Sequence, residues 1–390
     1  FFFKQKTAYE IVDCDWSSDV CSSDLQFDRT RDRAGARGEH CMRAVTPIDV
    51  KGWCPGALRP MESGDGMIVR VRPWAGALSI AQMQGLADAA ERFGNGHIDL
   101  TRRANLQLRG VTEPTLGGLQ AALEALGLLD RVAEAEAVRN VMVGPMAGDE
   151  TRALARALAE TIVSDRRLWG LRAKFGWLVD DASHATTLDQ SADIALCVLE
   201  RRVAVRHADE WLGCVSYDKA IETAVVLALG GTAVLEAPVF QPANGVRPLG
   251  IVAPFGRLEA GQLRQLMSLA AAAGAREVRP SPWRALHFDV PVVGAAALGL
   301  IVDAGDPLLR IDACPGAPFC RSSTVDTRAV ARRLAARPFE GTLHVSGCAK
   351  GCARSAPADL VLVGTGGRYG IVHNGTARSP FERVVTADSL

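Results

Sequence analysis

Residues 99–111 read DLTRRANLQLRGV and residues 277–290 read EVRPSPWRALHFDV; each follows a helical pattern of the same kind, and that recurrence decides the fold. The first helix is expected from about Ser79 to Phe93. Ser79 and Gln82 have capping-box spacing, Ile80, Met83, Leu86, Ala90 and Phe93 form one apolar stripe, and Gly94 is the stop. The second is expected from about Glu259 to Ala273, with Leu263, Leu266, Met267 and Ala270 inward and Gly274 as its stop. Two further blocks recur in order. Ala125-Leu126-Gly127-Leu128 matches Ala297-Leu298-Gly299-Leu300. Ala192-Asp193-Ile194 matches Ala358-Asp359-Leu360, and the same spacing pairs Leu196 with Leu362 and His207 with His373. Ordered blocks in two copies mark a duplicated architecture. Each copy reads strand, helix, strand, helix, irregular loop, then strands. That order predicts the α+β class, a tandem duplication of a ferredoxin-like half-domain followed by a second α+β lobe.

Composition narrows the function. The 390 residues carry 44 Lys+Arg against 44 Asp+Glu, which argues against a nucleic-acid partner. A hydrophobic fraction of 48% fills a large core and excludes global disorder. No apolar run approaches the ~18 residues that a membrane span needs. Ten cysteines are too sparse for a disulfide scaffold, and four of them cluster, which points to metal or redox chemistry in a cytoplasmic chain. Residues 1–41 lack any helical or strand period, and their apolar start precedes the lysines, so they are expected to be an artefactual or disordered leader rather than a secretory signal. The expected boundaries are 48–120 for the first ferredoxin-like half and 121–240 for the first lobe. The second half is expected at 241–292, opening on a Gly/Pro-rich link from Gln241 to Pro248, and the second lobe at 293–390. Thr386 to Leu390 reads as the N-cap of a helix that does not follow, so a C-terminal helix is expected beyond it.

The second copy holds Cys314-Pro-Gly-Ala-Pro-Phe-Cys320 and then Cys348-Ala-Lys-Gly-Cys352. Four thiolates are the complement of a [4Fe–4S] cluster, whereas zinc favours closer pairs. Gly and Pro in both loops suit backbone wrapped around an inorganic cube, with amides free to bond sulfur. Aligning the Ala-Leu-Gly-Leu blocks puts Met142 opposite Cys314, Gly144 opposite Gly316 and Gly148 opposite Cys320. The first lobe is therefore expected to hold no cluster.

This pattern resembles the nitrite and sulfite reductase superfamily. The resemblance implies two copies related by a pseudo-twofold axis, an active site between them, and a siroheme bridged to the cluster through Cys352. Thr101 to Gln107 resembles its R-x-[NT]-x-Q strand, Arg139-Asn140-Val141 its R-N-V element, and Arg172-Ala173-Lys174-Phe175 its R-K-F-K element, whose second lysine is Gly176 here. Within the superfamily, Gly52-Trp53-Cys54-Pro55-Gly56-Ala57-Leu58-Arg59-Pro60-Met61 and the following Ser63-Gly64-Asp65-Gly66 resemble the precorrin-3B synthases of aerobic cobalamin synthesis.

That resemblance implies a monooxygenase that hydroxylates precorrin-3A with dioxygen and closes a lactone. The alternative it leaves open is a siroheme-dependent nitrite or sulfite reductase. A substrate rich in carboxylates needs fixed cations, and arginine serves best. Period-two alternation places Arg103, Asn105, Gln107 and Arg109 on one strand face. Arg139 and Lys174 join them through the family motifs, and Lys350 lies within the cluster loop, as does Arg354 close by. Besides the cluster, the resemblance implies a further iron, mononuclear or as siroheme. His97, His184, His207, His287, His344 and His373 show no facial-triad spacing for it, and no catalytic residue is assignable. No G-x-G-x-x-G follows a strand, so electrons are expected from an external donor, NAD(P)H through a reductase.

Overall fold

The computed structural model describes residues 53–172, 174–181, 187–236 and 248–390. The leader at 1–41, residues 241–247 of the link, Ala173 and His184 lie outside them. The described chain forms two compact units, one from Trp53 to Ala304 and one from Gly305 to Leu390. No helix among the described residues is long and apolar enough to cross a membrane.

Both expected helices are present in the larger unit. Helix Ile80–Phe93 has Ser79 as its N-cap, and Ser79 and Gln82 cap each other. Helix Ala260–Ala272 starts at Glu259 with the same reciprocal arrangement toward Gln262. In both copies the capping glutamine also reaches the recurring Ala-Leu-Gly-Leu block. Gln82 Nε2 donates to Leu126 O at 2.9 Å, and Gln262 Nε2 donates to Leu298 O at 2.6 Å. The duplication in sequence is thus a duplication of contacts.

The two halves also exchange strands. Leu78–Ser79 leads into the first helix but pairs with Glu277–Pro280 of the second copy. Arg257–Glu259 leads into the second helix but pairs with His97–Leu100 of the first copy. The registers correspond, with Ser79 facing Glu277 and Glu259 facing His97. The result is a five-stranded and a four-stranded antiparallel sheet, each completed by the other copy. A single core that includes Leu86, Ile98, Leu106, Leu258, Leu263 and Val278 serves both halves. Reciprocal pairing of this kind is a pseudo-twofold arrangement.

One expectation fails here. Thr101 N donates to Asn105 O, and Ala104 takes a left-handed φ of 54°, so residues 101–105 form a turn before strand Leu106–Val111. Arg103 lies in that turn. The even alternation from Arg103 to Arg109 is broken, and the four polar side chains do not share one strand face. The second copy repeats the turn at Ser281 to Ala285, with Arg284 at φ 61°.

The first lobe is a five-stranded sheet. Val141–Val143, Trp177–Asp181 and Ile194–Leu199 run parallel, and Arg202–His207 and Glu210–Ser216 return antiparallel. The smaller unit repeats this with Ile311–Ala313, Leu343–Ser346 and Ala358–Thr365, then Arg368–Gly375 and Arg383–Val385. Ile194 faces His207, and Leu360 faces His373, so the matched histidines are matched in register.

That register corrects the alignment at the first cysteine. Val141 faces Trp177 and Ile311 faces Leu343, while Gly144 N donates to Val179 O and Cys314 N to Val345 O. Gly144, not Met142, is therefore the counterpart of Cys314. The chain between the Ala-Leu-Gly-Leu block and the first lobe strand differs in length between copies, so that block cannot carry the alignment across. The second copy differs in one more element. Its counterpart of helix Glu113–Ala125 is a single 3-10 turn, Ala295–Leu298, bounded by left-handed Gly294 and Gly299. Residues 293–304 belong with the larger unit, because Val252 bridges Ile301 and Leu300 enters the shared core. At the other end, Thr386 caps one 3-10 turn, Ala387–Ser389.

Candidate functional site

Within the smaller unit, Cys314 leaves strand Ile311–Ala313, and Cys348 follows strand Leu343–Ser346 by two residues. Cys320 and Cys352 lie in the loops that continue from them. Burial raises the pKa of Cys314, Cys348 and Cys352, and the thiols reinforce this through space: Cys352 responds to Cys314, Cys348 and Cys320. The four sulfurs therefore share one neighbourhood. A bound metal would invert the protonation preference, because its charge favours thiolate.

Glycine makes this crowding possible. Gly316 sits at φ 67°, and a Cβ there would lie 2.6 Å from Thr327 Oγ1 and 2.8 Å from Thr327 N. Gly347 donates its amide to Cys314 Sγ at 3.1 Å, and a Cβ on it would meet Ser323 Oγ at 2.3 Å. Thr327, in the first turn of helix Thr327–Ala335, donates its hydroxyl to Cys314 O at 2.5 Å. The backbone amide and the ammonium of Lys350 both lower the pKa of Cys348 against the effect of burial. Arg354 is committed elsewhere, to Asp312 at 3.2 Å and Pro357 O at 3.0 Å. Among the described residues no three His, Cys, Asp or Glu side chains form a site for a single metal ion. A cluster gives each iron its own thiolate, so its ligands enclose a wider space. Four thiols, three amides aimed at sulfur (Gly316, Gly347 and Lys350) and a nearby ammonium fit a [4Fe–4S] cluster.

The polar candidates of the larger unit divide. Arg109 is fully buried, with Nη2 2.6 Å from Asp65 and Nη1 3.2 Å from Asp99. Burial works against its charge, and the two carboxylates outweigh it. Asp99 also receives Arg257 of the second copy at 2.8 Å, so this triad pins the strand exchange. Arg139 grips Asp130 through Nε and Nη2, both at 2.7 Å, and stacks 4.1 Å over the Trp74 ring. Gln107 accepts from Arg70 Nη2 at 2.8 Å. Each of these three side chains is thus held by an ionic or polar partner inside the larger unit. Arg103 and Asn105 come instead against the first lobe. Arg103 Nη1 donates to Ser191 O at 2.7 Å, and Asn105 Nδ2 donates to Asn140 Oδ1 at 2.9 Å. A Cβ on Gly176 would lie 2.8 Å from Arg103 Nη1, so the glycine leaves room for the guanidinium. Half-buried Lys174 lies two residues before that glycine.

Two carboxylates carry roles that no local pattern signals. Glu136 accepts the amides of Ala57 and Leu58 at 2.5 and 3.0 Å and lies 3.5 Å from Arg72 Nη1, whose pKa burial pushes down to about 10. It organises the Trp-Cys-Pro-Gly-Ala-Leu-Arg-Pro loop from 79 positions away. Asp180 fills the space beside Gly144, where a Cβ would sit 2.0 Å from Oδ1. Burial raises its pKa to about 6, although Thr187 donates both amide and hydroxyl to it. The first lobe thus puts a carboxylate beside the position at which the second has Cys314.

Relatives agree with this architecture. Residues 59–126 match the Nitrite/Sulfite reductase ferredoxin-like half domain. The chain is 30% identical to a precorrin-3B synthase of a Sinorhizobium species, over 84% of this chain and 83% of that one. It is 24% identical to a ferredoxin–nitrite reductase of Leptolyngbya laminosa, over 80% of this chain and 79% of that one. The solved structure of the Mycobacterium tuberculosis NirA protein superposes with a TM-score of 0.61 at 19% identity, covering 83% of this chain and 78% of that one, which shows a shared fold. Identity spread over most of both chains, on a duplicated fold with four cysteines in the second lobe only, means that the chain belongs to the precorrin-3B synthase family of the nitrite and sulfite reductase superfamily.

Proposed function

We propose that the protein is an iron–sulfur monooxygenase that hydroxylates precorrin-3A with dioxygen and forms the lactone in aerobic cobalamin synthesis. The observation that carries this reading is the four-thiol site of the smaller unit, in a chain whose relatives include a precorrin-3B synthase. Cys314, Cys320, Cys348 and Cys352 would hold the cluster, which supplies single electrons when bound. The Gly347 amide and Lys350 stabilise negative charge on the sulfurs. Arg103 and Lys174, with Asn105 beside them, would orient the substrate's carboxylates, which prefer fixed guanidinium partners. A further iron, mononuclear or as siroheme, belongs to the reading, as does an external donor, NAD(P)H through a reductase, in the cytoplasm. Aerobic incubation with precorrin-3A, reductant and reductase, followed by product mass, tests it. Gain of one oxygen is expected; unchanged substrate would overturn it. The siroheme reductase alternative fits less well, since its representative matches at 24% against 30% identity. Intense siroheme absorption with turnover of nitrite or sulfite would favour it instead.

A further inference from the structure

The larger unit contains a cavity of about 480 Å³, within the size range of small-molecule sites. None of the cluster cysteines or the proposed substrate cations lines it. Its wall combines the start of helix Asp149–Ser164 with strands Leu78–Ser79 and Glu277–Pro280. Four arginines reach it: Arg152, Arg156, Arg276 and Arg279. Arg152 and Arg156 lie four residues apart, on one helix face, where like charges repel.

The cavity's own acids do not balance this charge. Glu277 is shared, receiving Arg152 Nη2 at 2.6 Å and Arg279 Nε at 2.8 Å. Asp289 accepts the amide and Nε of Arg276 at 3.1 and 3.2 Å. Asp149 is the third acid on the wall. Four cations against three acids leave a net positive cavity. Arg279 is further fixed by Nη1 donating to Pro145 O at 3.1 Å, which orients its guanidinium before any ligand arrives. The pKa of Arg152 is lowered by burial and then by Arg279, a repulsion that an anion would relieve.

We propose that this cavity is a polycarboxylate-binding site in which the arginines pair with two or more carboxylates of one ligand. Planar guanidinium groups from separate elements suit a ligand whose acids point in several directions. The ligand is either the acidic periphery of a tetrapyrrole or a free small polycarboxylate, and two probes distinguish them. The holoprotein is titrated with uroporphyrin III by fluorescence quenching and with citrate by calorimetry. Binding that weakens at least tenfold in both Arg156→Gln and the double variant Arg152→Gln/Arg156→Gln supports the site. A response to uroporphyrin alone assigns it to a tetrapyrrole, and a response to citrate assigns it to a free polycarboxylate. Arg156 is exposed on its helix, so its variant keeps the fold. Arg368→Gln, in the other unit, is expected to bind within twofold of the parent. No binding of either probe, unchanged affinity in the Arg156 variants, or an equal loss in Arg368→Gln would overturn the proposal. Product mass with precorrin-3A does not enter these titrations, so this site and the oxygenase reading fail separately.

Discussion

Arg103 and Arg109 are six positions apart and have opposite surroundings. Arg109 is sealed between Asp65 and Asp99, so Arg109→Ala takes the guanidinium from Asp65, leaves Asp99 to Arg257, and is expected to cost about 3–5 kcal/mol of stability. Arg103→Ala removes a half-buried cation that donates to Ser191 O at 2.7 Å; it is expected to change stability by less than ~1 kcal/mol and to weaken tetrapyrrole binding by ~1–3 kcal/mol. Urea denaturation and ligand titration on both variants check the pair, and equal stability losses would sink the distinction. Replacing any of Cys314, Cys320, Cys348 or Cys352 by Ser should remove most of the iron, whereas Cys197→Ser, in the first-lobe sheet, should keep it. Iron and acid-labile sulfide analysis decides. Asp180 gives a pH signature. Its folded pKa is raised to about 6 from 3.8, so the native state holds the proton more tightly than the unfolded chain. Its contribution is full below pH ~4 and is lost as pH rises through about 6, on the order of 1–3 kcal/mol. Asp180→Asn should flatten that part of the stability profile relative to the parent.

At the scale of elements, the loops that carry the four cysteines depend on glycine as well as on cysteine. Gly316 takes a left-handed φ of 67° with Thr327 backbone and hydroxyl atoms within 3 Å of where a Cβ would stand. Alanine there must displace the start of helix Thr327–Ala335 or reverse the turn after Cys314. Gly316→Ala is therefore expected to lose iron although all four thiols remain, with a stability cost on the order of 1–3 kcal/mol from the strained backbone alone. Full iron retention in that variant would show that the turn adapts. Each capping box closes its helix start and also ties the helix to a distant carbonyl, Leu126 O or Leu298 O. Ser79 and Gln82 are legible in the sequence, whereas the Glu259–Gln262 box shows only in the structure, because Glu is not among the favoured cap residues.

At the scale of the whole molecule, the two units have different sources of stability. Trp53–Ala304 contains the shared core of both ferredoxin-like halves and the first-lobe sheet, whereas Gly305–Leu390 gathers four thiols, those of Cys314 and Cys348 buried, around its strand ends. Metal affinity is folding free energy for a site of this kind. Chelation of iron is expected to lower hydrogen-exchange protection in strand Leu343–Ser346 far more than in strand Leu106–Val111. Equal loss in both strands would show that the cluster supports the larger unit as much as its own.

The sequence by itself determined the duplication, both helix starts and stops, and the four-cysteine motif, because caps, apolar periods and ligand spacing are local and recur in order along the chain. It could not show that each half lends a strand to the other, since strands of two and three residues carry no period of their own. Nor could it show the partners of the candidate cations: Arg109 and Arg139 look available until Asp65, Asp99 and Asp130 meet them in space. The alignment of Gly144 with Cys314 likewise needed the strand register, because the connecting segments differ in length. Only tertiary structure decides these points, since an arginine's role is set by which charges the fold brings within a few ångströms of it.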